Sequence, residues 1–331
     1  MRGEDLGCEE AASMLDGLLD GDVTDAQIAA VLVALAVKGE TVNELAGMAM
    51  SMRARVTPIN SEHRCFIDTA GTGSSRSKTF NVSTAAAFVI AGAGLPVAKH
   101  GSRAATSLSG SADVLAQLGV NVSASPEVSE RCLNEIGICF MFAPLYHGAT
   151  ARVAGIRRQL GVHTTFNLLG PLTNPARAPR QIIGVWHASL VEPIARVLVQ
   201  LGTERAWVVH GADGLDEITI ANKTFVTEAC KGSVKSFEIA PLDFGLEVAS
   251  IENLRGGDAK ENAAMIHGVL DGTRHDAARD LVVANAAAAL FVGGVGESLS
   301  QSARVAEQSL DSGAALEKLE QLVQATMARG N

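Results

Sequence analysis

Aromatic side chains are scarce in this sequence. Tryptophan, tyrosine and phenylalanine make up 4% of its 331 residues, against 47% for the hydrophobic types as a whole. Alanine, valine and leucine must therefore fill the interior, which suits close packing of helices on a sheet. Cysteine is sparse as well, with Cys8, Cys65, Cys132, Cys139 and Cys230 spread along the chain. An odd number without close pairing makes no disulfide framework, and no C-x-x-C pattern offers the usual zinc signature. Scattered reduced thiols are what a cytoplasmic chain carries. An excess of positive charge is also missing. The formal net charge of −9 argues against a protein that holds nucleic acid by neutralising its phosphates. A small anionic substrate stays open, because local donors decide that. The opening Met1-Arg-Gly-Glu-Asp5 has no apolar signal core. Apolar runs such as Ile28–Val37 stop short of the roughly 20 residues that cross a bilayer. The expectation is a cytoplasmic protein with neither a membrane nor a nucleic acid as partner.

The length allows one large domain or two unequal ones. Thr24 with Gln27 forms a capping box ahead of Ile28, Val31, Leu32 and Leu35 at helical spacing. Gly39 stands where a helix would end, and Thr41 with Glu44 starts a second box. These short helices need a partner for their apolar faces, either elsewhere in the chain or in a second subunit. From Cys65 onward strands and helices alternate. Strands are expected at 65–69, 95–99, 137–143, 181–186 and 205–210. Helices are expected at 83–93, 112–118, from Ser125-Pro126-Glu127, and at 190–201, 259–270 and 279–292. A loop at Gly293-Gly294 and one final helix from Ser298 complete the reading. This alternation implies an α/β architecture on a mainly parallel sheet. Repeats, charge blocks and low-complexity linkers are absent, so helical and α/β parts are expected to pack closely.

Three loops carry the chemistry. Residues 68–84 read Asp-Thr-Ala-Gly-Thr-Gly-Ser-Ser-Arg-Ser-Lys-Thr-Phe-Asn-Val-Ser-Thr. Gly71 and Gly73 after a strand let the backbone approach a ligand with its amides turned inward. Asn81, Ser83 and Thr84 then open an alanine-rich helix, whose first N–H groups favour an anion. Arg76 and Lys78 add positive charge. The blander alternative is a tight strand-to-helix turn with an ordinary cap. Residues 99–113 bring two cations, a histidine and five hydroxyls into a second loop after a strand. Lys99 suits a point-charge contact to phosphate, and Ser109–Ser111 can add amides and hydroxyls. The third loop, His210-Gly-Ala-Asp-Gly-Leu-Asp-Glu-Ile, carries Asp213, Asp216 and Glu217. Adjacent acids facing a pyrophosphate repel it unless Mg²⁺ lies between them; alone they would read as a turn and a solvated acidic pair.

Together these segments resemble the anthranilate phosphoribosyltransferase family over nearly the whole chain. The most specific stretch is Arg157-Arg-Gln-Leu-Gly-Val-His-Thr-Thr-Phe-Asn-Leu-Leu-Gly-Pro-Leu-Thr-Asn-Pro175, joined by Lys-His-Gly-x-Arg at 99–103, Ser-Gly-Ser-Ala-Asp-Val-Leu at 109–115 and Asp-Gly-Leu-Asp-Glu at 213–217. The resemblance implies a small helical domain, residues 1–64 completed by about 150–180. It implies a larger α/β domain, 65–149 and 181–331, of the nucleoside phosphorylase and phosphoribosyltransferase type. It further implies a homodimer and Mg²⁺-dependent transfer of phosphoribosyl from phosphoribosyl pyrophosphate to the amine of anthranilate. The implied donor contacts are Gly71, Thr79, Asn81, Ser83, Thr84, Lys99, Ser107 and Ser111. Ser74, Ser75, Val82, Gly101, Ser102 and Arg103 also belong to the implied substrate-binding set. Ser83, Asp216 and Glu217 are the implied metal ligands. His100, His147, Arg157 and Pro171 fall on the anthranilate side, the first three as catalytic groups.

The sequence departs from the family pattern at three places. Ser74-Ser75-Arg76 replace Gly-Asp-Gly, exchanging a carboxylate for a guanidinium. Ser102 stands for the usual asparagine. Gly148-Ala-Thr150 stand where Pro-Ala-Met is favoured. A pyrimidine nucleoside phosphorylase would share the architecture but gives no reason for the 157–175 segment. A non-catalytic nucleic-acid-binding relative would call for a basic surface and eroded loops, and neither is present.

Overall fold

The computed structural model describes residues 3–73, 79–103 and 109–327. The chain opens with helices α1 (Cys8–Leu19), α2 (Asp25–Lys38) and α3 (Val42–Arg55). Both expected capping boxes form: the Thr24 hydroxyl accepts from the Gln27 N–H, and the Thr41 hydroxyl from the Glu44 N–H. Gly39, at φ 82°, ends α2. Glu44 does more than cap, because its fully buried carboxylate also accepts from Lys38 Nζ at 2.8 Å and from the Leu6 N–H at 3.0 Å.

The sheet begins with β1 (Ile67–Asp68), α4 (Val82–Gly92), β2 (Val97–Gly101), α5 (Ser111–Gln117), α6 (Pro126–Ile136) and β3 (Ile138–Phe142). Three helices then leave it: α7 (Ala143–Tyr146), α8 (Ala151–Leu160) and α9 (Thr165–Leu172). The chain returns through β4 (Arg180–Gly184), α10 (Val191–Gln200) and β5 (Arg205–Gly211), followed by the hairpin β6 (Thr224–Cys230) and β7 (Ser233–Ile239). Helices α11 (Ala259–Leu270), α12 (Ala277–Gly293), α13 (Leu299–Asp311) and α14 (Ala314–Met327) close the fold. The expectation of one final helix is corrected here: Gly313, at φ 80°, divides it in two. The β6–β7 hairpin was also not anticipated. Its signal lies in two alternating runs around Lys231-Gly232, both at positive φ as a two-residue hairpin turn requires.

The strand order is β3-β2-β1-β4-β5-β6-β7, parallel from β3 to β5 and antiparallel beyond. The chain works outward from β1 to β3, then crosses back to build on the other side from β4. The junction of β1 and β4 is thus a topological switch point, where open α/β sheets hold ligands at the carboxyl ends of their strands.

Neighbouring strand residues alternate between two cores, as the pleat dictates. Ile182, Trp207 and Val209 join the core under α4–α6 and α11–α14. Ile183, Ala206 and Val208 join the core shared by α1–α3 and α8–α10. Ala284 and Ala286–Ala289 of α12 are fully buried, so small side chains let α12 lie close against α4. That is how the shortage of aromatics is met. No helix among the described residues is long and apolar enough to cross a membrane.

Candidate active site

Loops leaving the carboxyl edge of the sheet line one cleft of about 500 Å³, completed by α8, α9 and the start of α11. At its floor the switch point is closed by glycine. The Thr72 N–H donates to the Gly184 carbonyl at 2.8 Å, and a side chain on Gly71 would come within 2.9 Å of that same carbonyl. A methyl group on Gly184 would overlap the Asp216 carbonyl. The loops after β1, β4 and β5 are therefore stacked backbone on backbone, which only glycine permits.

This stacking brings the acidic pair to the start of α4. The Ser83 N–H donates to the Glu217 carboxylate at 3.3 Å. Lys99, only 4% exposed, donates to Thr69 Oγ1 at 3.1 Å and Ser83 Oγ at 3.3 Å. Burial first, and then the Asp216 carboxylate, push Glu217 above the usual carboxylate range, while Lys99 acts against the shift. Burial pulls Lys99 down, and Asp68 and Glu217 oppose it. Asn285 of α12 fixes the next residue on both sides, accepting from the Ile218 N–H at 3.0 Å and donating to the Ile218 carbonyl at 2.9 Å. Asp213, third acid of this loop, serves its own turn, accepting from the Leu215 N–H at 3.2 Å and from the Thr219 hydroxyl.

Gly71, Thr79, Asn81, Ser83, Thr84, Lys99, Gly101, Ser102, Arg103, Ser111, Asp216 and Glu217 all face the cleft. The Thr84 hydroxyl is buried there with no hydrogen-bond partner among the described residues. Val82 is not in the lining: its side chain is 1% exposed in the core and its N–H donates to the Phe80 carbonyl at 2.7 Å. Ser74, Ser75 and Ser107, with Arg76 and Lys78, lie outside the described residues. Arg103 pairs with Asp113 at 3.1 Å.

At the other end His100 and His147 bring their Nε2 atoms to 3.2 Å. Burial lowers His147 to about 4. Burial, then the neighbouring His147, lowers His100 to about 3. Both rings are neutral near pH 7, so one donates this hydrogen bond and the other accepts it. Arg157, in the last turn of α8, donates to Thr164 Oγ1 at 3.0 Å and Asn167 Oδ1 at 3.1 Å and lies 5.4 Å over the Phe166 ring. No carboxylate among the described residues pairs with it, and it lines the cleft, as do Gly170 and Pro171.

Several positioning residues escaped the sequence reading. Asp68, at the end of β1, is buried and accepts from Asn174 Nδ2 at 2.7 Å, the Ala70 N–H at 3.1 Å and the His100 N–H at 3.2 Å. Burial lifts its carboxyl to about 6, against these donors. It ties β1 and β2 to the segment after α9, and so sets one half of the cleft against the other. Asn167, Asn174, Asn262 and Asn285 are of the same kind. Of these only Asn285 carries a local signal, a lone amide in the apolar run Leu281-Val-Val-Ala-Asn285-Ala-Ala-Ala-Ala.

Comparison with known proteins agrees with this geometry. The model of the glycosyl transferase family α/β domain matches residues 63–316, and that of the family's helical bundle domain matches residues 1–56. An anthranilate phosphoribosyltransferase of Moorella thermoacetica is 50% identical over 321 residues, 97% of this chain and 94% of that protein. One from an Anaeromyxobacter species is 52% identical over 326 residues, 98% of this chain and 96% of that protein. The crystal structure of the enzyme of that name from Thermus thermophilus has a TM-score of 0.93 at 40% identity, covering 98% of this chain and 97% of that one. The enzyme from Saccharomyces cerevisiae, in complex with phosphoribosyl pyrophosphate and Mg, has a TM-score of 0.87 at 28% identity, covering 96% of this chain and 92% of that one.

Proposed function

This chain belongs to the anthranilate phosphoribosyltransferases of the glycosyl transferase family, and from that premise we propose how its cleft divides the work of the reaction. The reaction moves the phosphoribosyl group of phosphoribosyl pyrophosphate to the amine of anthranilate. It yields N-(5-phosphoribosyl)anthranilate and pyrophosphate, the second step of tryptophan synthesis from chorismate. One observation carries the assignment: a phosphate-type loop, an acidic pair and an unpaired arginine share one cleft.

The donor binds across the first half. Gly71, Thr79, Asn81, Ser83, Thr84 and Ser111 offer amides and hydroxyls, and Lys99 a positive charge, to its phosphates; Ser107 completes the set. Asp216, Glu217 and the Ser83 hydroxyl would hold Mg²⁺. Two carboxylates and a hydroxyl suit this ion, which takes few protein oxygens and fills its remaining positions with water and substrate phosphates. When bound, it would neutralise charge on the departing pyrophosphate.

Anthranilate binds at the far end, its carboxylate on Arg157 and its ring against Pro171 and Gly170. The amine of anthranilate is uncharged at pH 7, so no strong base is needed. Two neutral rings sharing one hydrogen bond keep one N–H and one lone pair between them. That lone pair can accept from the amine and aim it at ribose C1. As the C1–O bond breaks, electrons leave with pyrophosphate and an oxocarbenium-like centre forms. The amine nitrogen closes the new C1–N bond and releases its proton. Orientation and charge stabilisation supply the catalysis.

Mixing the protein with phosphoribosyl pyrophosphate, Mg²⁺ and anthranilate should quench anthranilate fluorescence as product accumulates. Absence of turnover in folded protein with excess Mg²⁺ would sink the reading. Three further points belong to the same proposal. Residues 1–64 with about 150–180 make up the helical domain and the remainder the α/β domain; the family models, which part between residues 56 and 63, support the first boundary. The protein is cytoplasmic. It forms a homodimer through the helical domain, where Val33, Val37 and Met50 leave apolar surface exposed; light scattering giving a monomer mass would refute this.

A further inference from the structure

The donor half of the cleft has a third wall that the loop motifs do not include. The segment before α11, Leu254-Arg-Gly-Gly-Asp258, lies against the backbone of Thr79 and Phe80. The Phe80 N–H donates to the Leu254 carbonyl at 3.1 Å, and a side chain on Gly256 would come within 2.5 Å of the Thr79 carbonyl. Asn262, in the first turn of α11, closes this arrangement and is 3% exposed. Its Oδ1 accepts from the Gly257 N–H at 2.8 Å. Its Nδ2 donates to Asn81 Oδ1 at 3.0 Å and to Ser109 Oγ at 2.7 Å. One buried amide therefore joins the loop after β1, the loop after β2 and the turn before α11.

We propose that Asn262 is a positioning residue for the phosphoribosyl donor, acting through Asn81 and Ser109 without touching the reacting atoms. The inference rests on the proposed donor site. Asn81 can present its amide to the cleft in two orientations that differ by a flip of oxygen and nitrogen. Because Asn262 Nδ2 is a donor, it requires the Asn81 oxygen to point towards it, which leaves the Asn81 NH₂ group to face the ligand. The same amide fixes Ser109, at the end of the second loop, beside Asn81, whose Oδ1 lies 3.5 Å from the Ser109 hydroxyl. His100, His147 and Arg157 receive no hydrogen bond from Asn262, so the anthranilate end should not sense its loss.

The test is a double-mutant cycle on Asn262→Ala and Asn81→Ala, with Ser109→Ala as a second probe that leaves the α11 start intact. Binding of phosphoribosyl pyrophosphate with Mg²⁺ is read by calorimetry and both KM values by steady-state kinetics. Asn262→Ala should weaken donor binding and raise the donor KM about tenfold, the loss expected for two buried neutral hydrogen bonds. The anthranilate KM should stay within about twofold, and the double variant should lose little beyond the worse single one, as residues acting as one unit do. Ser109→Ala should shift the donor KM in the same direction. Unchanged donor affinity in folded Asn262→Ala, equal loss at both substrates, or strictly multiplicative effects with Asn81→Ala would overturn the proposal. Failure of the wild-type protein to bind the donor would instead refute the donor site itself.

Discussion

His147 and Arg157 show how burial sets charge at the far end of the cleft. A histidine in water titrates near 6.5, yet burial holds His147 at about 4 in the folded protein. Between these two values the unfolded chain binds the extra proton and the folded one does not. Stability from this group is complete above pH 6.5 and is lost as pH falls towards 4. Wild-type protein taken from pH 7 to pH 5 should lose about 2 kcal/mol through this residue alone. His147→Asn removes the term, so its melting temperature should fall less over the same interval. An equal fall in both proteins would show that His147 already titrates normally. Arg157 makes the complementary case. Thr164 and Asn167 hold its fork by two hydrogen bonds but leave its charge unmatched by any described carboxylate. Arg157→Ala should raise the anthranilate KM by about 10- to 100-fold, the cost of a charge-assisted hydrogen bond, with the donor KM far less affected. Equal effects on both KM values in the kinetic assay would remove its assigned role.

Elements are positioned here by backbone contacts at glycines and by buried amides reaching far along the chain, and this decides what the sequence made legible. Capping boxes at Thr24 and Thr41 act over three residues and could be read directly. So could the glycine- and hydroxyl-rich loops after β1 and β2, because their composition declares them. Long-range partners could not. Asn174 reaches Asp68 across 106 positions, Asn262 reaches Asn81 across 181, and Asn285 reaches Ile218 across 67. Apart from Asn285, which stands alone in an apolar run, nothing local distinguishes such amides from ordinary helix or loop residues. Val82 is turned away from the cleft for a related reason: lying between Asn81 and Ser83 does not turn a side chain to the same side, since the helix starts there and rotates it into the core. The stack of Gly71, Gly184 and Asp216 makes the same point about glycine. Gly184 looks like an ordinary strand end, yet it is where the loops after β1 and β5 meet. Gly184→Ala must push Asp216 and Glu217 away from Ser83. A displacement of that order should lower kcat/KM by about 100-fold while circular dichroism still reports a folded protein. Activity within about threefold of wild type would mean that the two loops are not held in register by this contact.

The molecule as a whole is less divisible than its two kinds of architecture suggest. One core is built by α1–α3, α8 and α9 together with α10 and one face of β4 and β5, so the helical bundle and the sheet bury each other. Arg53 of α3 reinforces this, donating to the Leu172 carbonyl at the end of α9 at 2.7 Å and to the Leu201 carbonyl beyond α10 at 3.2 Å. Burial, and then Arg177, lower it to about 10, so it still carries its charge at neutral pH and satisfies two helix ends at once. An interior shared in this way makes independent unfolding of either part unfavourable, because each would expose the apolar face that the other covers. Calorimetry of the full chain should therefore give a single transition. A chain reduced to residues 57–331 should lack a cooperative one, since Ile194, Val197, Leu198 and Val208 would lose their cover. Two resolved transitions in the full chain, or a sharp melt in the shortened one, would show that the sheet is stable without the bundle. The wall of the cleft that carries Arg157 would then rest on a separable unit, and the width of the cleft would be set by how that unit docks.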